Sequence, residues 1–389
     1  MAFLDRVLDP PSYGWTDENG ELVKPSAGQL WAELFSRVNI FKSRKNWLAL
    51  TNWAWTIMLA PFVVLFVFKY FSIWLLVAGF LYSMVGMGTH GTIWYHRYCT
   101  HRAFTFSHPV WRFMTRNLLI KVVPEEIYVI SHHVHHAKSE KPGDPYNAMA
   151  GGLYCFLADT NHQPIAKDLS REDYNKIVGL LVHTGIKPNT YEQYQKWGTV
   201  ASPLRTYGHQ LMNWGFWYGA FYLMGGHALA TTFFAGACIW AVGIRTFNYD
   251  GHGKGEDQRQ DGIDFNRRDL SVNQHWAGYV AGEWHNNHHL YPNSARSGFL
   301  PYQFDLAWVY IWTLYKLGAV SSYRDSKKNF YEKYYLPFVE KQKEAETKPV
   351  EVDKVEDTNS AHDMNEDVAA AYAATLNSPT QSSEQQPAA

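Results

Sequence analysis

From Trp47 to Phe68 the chain reads WLALTNWAWTIMLAPFVVLFVF without a charge, and after Lys69-Tyr70 it resumes at Phe71 and stays uncharged to about Trp94. Each run is long enough for a helix to cross the hydrocarbon core of a bilayer, which takes ~20 residues, and the two-residue gap allows only a tight turn. A second pair is less continuous. No Lys, Arg, Asp or Glu occurs between Leu211 and Ile244, and Met224-Gly225-Gly226-His227 divides that stretch. The pattern predicts an all-α integral membrane protein of two transmembrane helical hairpins, with four spans at about 47–68, 71–94, 209–225 and 227–247. Uncharged tandem runs of this length are rarely the core helices of a soluble protein.

Between and after these runs the pattern changes. Pro109 to Ile130 and Phe304 to Val320 mix Trp, Leu and Ile with isolated charges, as helices lying along a membrane interface do, and they predict a helical cap. Arg37, Lys42, Arg44 and Lys45 precede the first run, and many Lys and Arg lie in 97–205, whereas both hairpin turns carry little charge. The positive-inside rule then places both termini, all long loops and the cap in the cytoplasm. Met1 to Gly20 holds Asp5, Arg6, Asp9, Asp17 and Glu18 and no apolar h-region, so no cleavable signal peptide is expected. The expected organisation is a cytoplasmic segment 1–46, one domain over 47–325, a helical end 326–344 and a disordered acidic tail 345–389, too poor in apolar residues to repay ordering.

Composition adds little until histidine is counted. The net charge of -1 gives no polyanion-binding signature, so nucleic acid is not an expected partner. The mean hydropathy of -0.32 averages apolar runs with a polar remainder. Cys99, Cys155 and Cys238 are odd in number and lack paired spacing, which suits buried thiols rather than a disulfide or CxxC site.

Histidine occurs 18 times, and nine copies are grouped. His132, His135 and His136 are spaced i, i+3, i+4, as are His285, His288 and His289, so on a helix each triple emerges from one stripe. His133 would face elsewhere, as second shell or solvent. His96 and His101, five apart at the end of the second run, would differ by about 140° on an α-helix, which suits one imidazole on each of two adjacent metals. Asn248 and His252 are i, i+4 where Gly251 and Gly253 let the fourth run end. The other histidines, among them His90, His162 and His209, suit ordinary core or surface roles. Imidazole does not name its metal, but nine exceed the needs of one tetrahedral zinc and fit a two-metal site.

The histidines fall into boxes HxxxxH (His96/His101), HxxHH (His132/His135/His136) and HxxHH (His285/His288/His289), within HRYCTHRAF, HHAKSEKPGDPYN and GEWHNNHHLYPNSARSG. With these boxes the chain, over roughly 45–325, resembles the membrane-bound fatty acid desaturases of the stearoyl-CoA (delta-9) type. The resemblance implies a di-iron centre held in the cap by those eight histidines and His252, with Asn248 reaching one iron through water, and O2 with two electrons removing hydrogens from neighbouring methylenes. No side-chain acid or base abstracts a proton from an unactivated alkyl C–H, so a redox metal must carry such chemistry. Asp144, Asp250 and Glu283 lie near the boxes in sequence and could orient the outer ring N–H groups. Phe80 and Met84, by resemblance, bear on the closed end of an acyl tunnel. Acyl-CoA members commonly carry Arg-Asp before the second box and Arg within it. Here Ile130-Ser131 and His133 stand instead, so a glycerolipid or other acyl carrier is equally open. Arg97, Arg102, Lys138, Arg267 and Arg268 could meet a phosphate-bearing headgroup. The HPGG signature of a fused haem domain is absent, so electrons are expected from a separate ferredoxin or small cytochrome b with its reductase. A related di-iron hydroxylase and a non-catalytic metal-binding or transport protein are the alternatives.

Overall fold

The computed structural model describes residues 3–252 and 284–347. In chain order these form α1 (Ala27–Val38), α2 (Arg44–Tyr70), α3 (Ile73–Thr100), strand β1 (Phe104–Phe106), α4 (Pro109–Arg116), α5 (Glu125–Lys138), α6 (Arg171–Leu181), α7 (Tyr191–Trp197), α8 (Pro203–Gly251), α9 (His285–Leu290), α10 (Leu306–Lys316), strand β2 (Val320–Tyr323) and α11 (Leu336–Thr347), with shorter helical turns between. Arg267, Arg268, Glu283 and all of the expected tail after Thr347 lie outside the described residues.

Three helices, α2, α3 and α8, are long and apolar enough to cross a membrane. Their outer faces show why they do not suit water: Phe68, Trp74 and Leu223 are 84%, 80% and 86% exposed. The second predicted hairpin is a single run of helix interrupted at Gly225 and Gly226, whose φ/ψ of -158/24 and 66/-165 are not helical. The chain doubles back there. Trp214 and Phe234, twenty positions apart, have ring centroids 6.0 Å apart, and Phe221 meets Phe233 at 4.6 Å; a straight helix would separate the first pair by ~30 Å.

Within the bundle Trp55, Leu59, Met87, Trp214, Phe234 and Trp240 share one apolar core. Small residues bring α3 and α8 together: a Cβ on Gly79 would lie 3.1 Å from Thr232, and one on Gly236 only 3.0 Å from the Gly79 carbonyl. Without a hydrophobic drive between helices in lipid, such close backbone approach supplies packing. α3 is not α-helical throughout, since Leu81–Met87 and Gly91–Thr100 are π-helical.

The remaining elements form a layer at one end of the bundle. The predicted interfacial stretch 109–130 splits in two. α4 is amphipathic and exposes Val110, Phe113 and Met114, whereas α5 from Glu125 onward is buried through His136. Charge pairing covers the buried start of α5: Glu125 accepts from Arg116 Nε at 2.8 Å and from Lys121, and Glu126 accepts from the backbone N–H of Val200 and Ala201 at 2.7 and 3.0 Å. Strands β1 and β2 pair antiparallel, Phe104 with Tyr323, around a bulge. The N-terminal segment packs on this layer through Arg6–Asp173 and Lys138–Asp5 ion pairs of 2.9 and 2.7 Å.

At Gly226 the positive φ is needed to reverse the helix, and nothing lies near enough to obstruct a side chain. Gly226→Ala should therefore destabilise the solubilised protein through backbone strain alone, by about 1–3 kcal/mol, read as a lower melting temperature. Gly219→Ala, in open space within the helix, should leave it unchanged or raise it.

Candidate metal centre

Four separate segments bring the grouped histidines together. The end of α3 supplies His96 and His101, α5 supplies His132, His135 and His136, the end of α8 supplies His252, and α9 supplies His285, His288 and His289. They form two groups. His96, His101, His132, His136 and His288 make one, and His135, His252, His285 and His289 the other; within each, the ring nitrogens lie within 4.8 Å of one another.

Both triples split between the groups in the same way. The i, i+4 pair His132/His136 joins the first group and His135 the second, while His285/His289 joins the second and His288 the first. Each group thus takes a pair from one helix and a single ring from the other. A stripe of three on a helix face spreads over enough angle for its middle member to reach a neighbouring position.

His96 and His101 correct the expectation that they belong to two different metals. Both lie in the first group with ring centroids 4.8 Å apart. The His101 N–H donates to the His96 carbonyl at 3.1 Å, an i→i+5 bond of the π-helix. In that geometry residues five apart stack on one face, so the α-helical angle did not apply.

Eight of the nine rings are buried and His289 is half-buried. Burial, reinforced by neighbouring imidazoles, holds His101, His132, His136, His285, His288 and His289 well below the usual histidine range. His252 is lowered too, chiefly by burial, although Glu140 opposes the shift. Ring nitrogens face one another closely: His285 and His252 Nε2 atoms are 2.9 Å apart, and those of His288 and His136 are 3.0 Å. Nε2 of His135 and Nδ1 of His285 are buried with no hydrogen-bond partner among the described residues. Lone pairs converging in a dry site are a donor set for cations, and the arrangement fits metal ions.

Outer groups fix the rings from behind. Asp144, 1% exposed, accepts from His135 Nδ1 with both oxygens at 3.0 Å. It is itself held by the backbone N–H groups of Glu140 and Tyr146. Glu140 bonds His252 Nδ1 at 3.0 Å, and Tyr146 Oη bonds His132 Nδ1 at 2.6 Å. Sequence reasoning missed these last two; the available signal was that both directly follow the second histidine box. Asp250 is exposed and makes no hydrogen bond with the nine histidines among the described residues. His133, buried outside both groups, is pushed down to about 3 by burial and by the nearby Arg102 and His183. The three cysteines are buried free thiols.

A cavity opens beside His96, with about 1060 Å³ of empty space when the solvent-open part is included. Its walls include Thr92, Tyr128, Ala241 and Asn248, and the Arg245–Asp159 ion pair of 2.9 Å also lines it. Met84 is half-buried and Phe80 is 55% exposed, and neither lines it. The lining on α3 goes back from His96 only to Gly88, four residues short of Met84.

Arg97 also departs from expectation. Rather than meeting a headgroup it is fully buried, donating to the Ala295 carbonyl at 2.7 Å and to Ser297 Oγ and Asp305 Oδ2 at 2.9 Å each. Asp305 in turn accepts from the Ser297 N–H at 2.8 Å and caps α10 at the Trp308 N–H. Asn287, inside the third histidine box, donates to the Ser297 carbonyl at 2.8 Å. Arg97 thus ties the first box to the third. Arg102 is exposed and donates to the Gly179 carbonyl, Lys138 is partly covered by Asp5, and neither lines the cavity.

A helical protein with membrane-length apolar helices and a buried, histidine-rich site able to hold metal defines a recognisable class. A family model for fatty acid desaturases matches residues 71–321. The chain belongs to that family. It is 28% identical over 266 residues to hex-5-enoyl-[acyl-carrier protein] acetylenase of Moorena producens, covering 64% of this chain and 75% of that protein. It is 27% identical over 263 residues to the delta-9 desaturase-like 3 protein of Arabidopsis thaliana, covering 61% and 74%. A third relative, the sn-1 stearoyl-lipid 9-desaturase of Anabaena variabilis, is 27% identical over 261 residues, covering 63% and 82%.

If Arg97 is a structural tie, Arg97→Met leaves Asp305 charged and unpaired in the interior and should destabilise the protein by about 3–5 kcal/mol. Thermal unfolding of the solubilised protein measures this. A headgroup contact would instead weaken substrate binding at unchanged stability.

Proposed function

We propose that this chain is an O2-dependent fatty acyl desaturase that introduces a cis double bond into a saturated acyl chain. The convergence of nine imidazoles, eight of them buried, into two groups beside a partly apolar cavity carries the reading, and family membership supports it. His96, His101, His132, His136 and His288 would hold one ion, and His135, His252, His285 and His289 the other, with Asn248 serving the centre through water. Iron in both positions, with O2 as co-substrate and electrons from a separate ferredoxin or small cytochrome b and its reductase, would supply the oxidation that an unactivated methylene requires.

The protein's own part is placement. Asp144, Glu140 and Tyr146 fix ring tautomers and directions, so each imidazole presents a chosen nitrogen. Arg97 and Asp305 keep the third box in register with the first. The cavity wall holds the acyl chain beside His96 and excludes water. Four crossings, made by α2, α3 and the two arms of α8, put the histidine layer and both termini on the cytoplasmic side, as the positive-inside rule favours. The relatives' names include acyl-carrier-protein and lipid forms of substrate, so the carrier is any acyl ester or thioester whose head fits the Arg245–Asp159 pair.

Expression in a host lacking its own desaturase, with gas chromatography of its fatty acids, should give a new monounsaturated species. A hydroxylated product would point to the sister chemistry, and no lipid change with reductant present would overturn the reading. His135→Ala or His288→Ala should abolish product while leaving membrane insertion intact, because each removes a ligand but no part of a crossing helix. Metal analysis of the purified protein should find iron at about two atoms per chain. Glu140→Gln should weaken iron retention by about 10–100-fold in a chelator competition, without loss of the fold.

A further inference from the structure

The cavity has an identifiable floor. Along α3 its wall runs from His96 back to Gly88, and along α8 from Asn248 back to Trp240. Both stretches are eight residues, ~12 Å at α-helical rise and less where α3 is π-helical. At the α8 end of this lining the Trp240 indole lies against Gly91, one turn short of Gly88: a Cβ on Gly91 would lie 3.2 Å from Cζ2 and 3.8 Å from Cη2. Trp240 is 6% exposed and belongs to the same core as Trp55, Leu59, Met87 and Phe234, so its ring is backed by buried apolar side chains on the side away from the cavity. Beyond it, toward Met84, the lining ends.

We propose that Trp240, held flat by the absence of a side chain at Gly91, is the stop that sets how much acyl chain fits past the histidines. The inference rests on the acyl-desaturase reading and adds to it the residue pair that determines chain length. A rigid indole wedged against a glycine discriminates sharply, because an extra methylene would have to displace a ring backed by buried apolar side chains. A flexible methionine at position 84 would not.

The test is the chain-length profile of unsaturated products in the desaturase-negative host, for the wild type, Trp240→Ala, Trp240→Phe, Gly91→Ala and Met84→Trp. Removing the indole should raise use of the next longer chains about tenfold or more relative to the wild type's preferred length, the scale on which one methylene is read in an apolar pocket. Trp240→Phe should shift the profile in the same direction by less. Gly91→Ala pushes the indole into the cavity and should disfavour the longest chain accepted, and Met84→Trp should leave the profile unchanged. A parallel readout independent of turnover is thermal stabilisation of each purified variant by saturated fatty acids of graded length. Its optimum should move with the product profile, and it covers any variant that folds but turns over poorly. An unaltered profile in Trp240→Ala and Trp240→Phe, or a shift produced by Met84→Trp alone, overturns the proposal. Absence of unsaturated product from the wild type at every length would instead overturn the functional reading.

Discussion

Nine imidazoles have to be packed side by side at the foot of an apolar bundle, eight of them buried, and the rest of the molecule answers to that constraint. A buried ring nitrogen without a partner is costly. The inward nitrogens converge on one another in two groups, and the outward ones of His132, His135 and His252 are taken by Tyr146, Asp144 and Glu140. The segment 139–147 is therefore not a neutral loop. It is the scaffold that gives the second box its direction and reaches across to the histidine at the end of α8.

Bringing four remote segments into one cluster also demands rigid ties between them. Arg97 and Asp305, more than two hundred residues apart, meet in the interior with Ser297 and the carbonyl of Ala295. A buried ion pair contributes little net stability over an apolar substitute, but it is intolerant of misregister, since moving either partner strands a charge. Glu126, accepting from two backbone N–H groups just before α8, gives α5 a second fixed point. The histidine layer is held by polar ties of defined geometry, while the bundle beneath it is held by small residues and aromatic packing, where lipid removes the usual hydrophobic drive.

α3 joins the two regimes. Its outer half exposes Trp74 and Phe80, its middle packs Gly79 and Gly91 against α8, and its end delivers two histidines. The π-helical turns let one helix do all three, because widening the helix changes which residues share a face without ending it. They set the direction of both the metal-facing and the cavity-facing side chains.

Legible in the residues alone were the apolar runs, the reversal near Gly225-Gly226, the helical class and the histidines with their helix spacing; the tight turn expected at Lys69-Tyr70 falls two residues later, at Phe71-Ser72. These are local properties, written in residue type and period. The groups that hold the rings from behind were visible only as nearness: Asp144 bonds a histidine, whereas exposed Asp250 does not, and Glu140 and Tyr146 carried no pattern of their own. The three-dimensional arrangement alone revealed which histidines share a group, that Arg97 points inward to Asp305, and that Trp240 lines the cavity beside His96. Each depends on the phase of a helix or on a partner remote in the chain. An i→i+5 turn in place of i→i+4 rotates every following side chain, and no count of residues along the sequence reveals it.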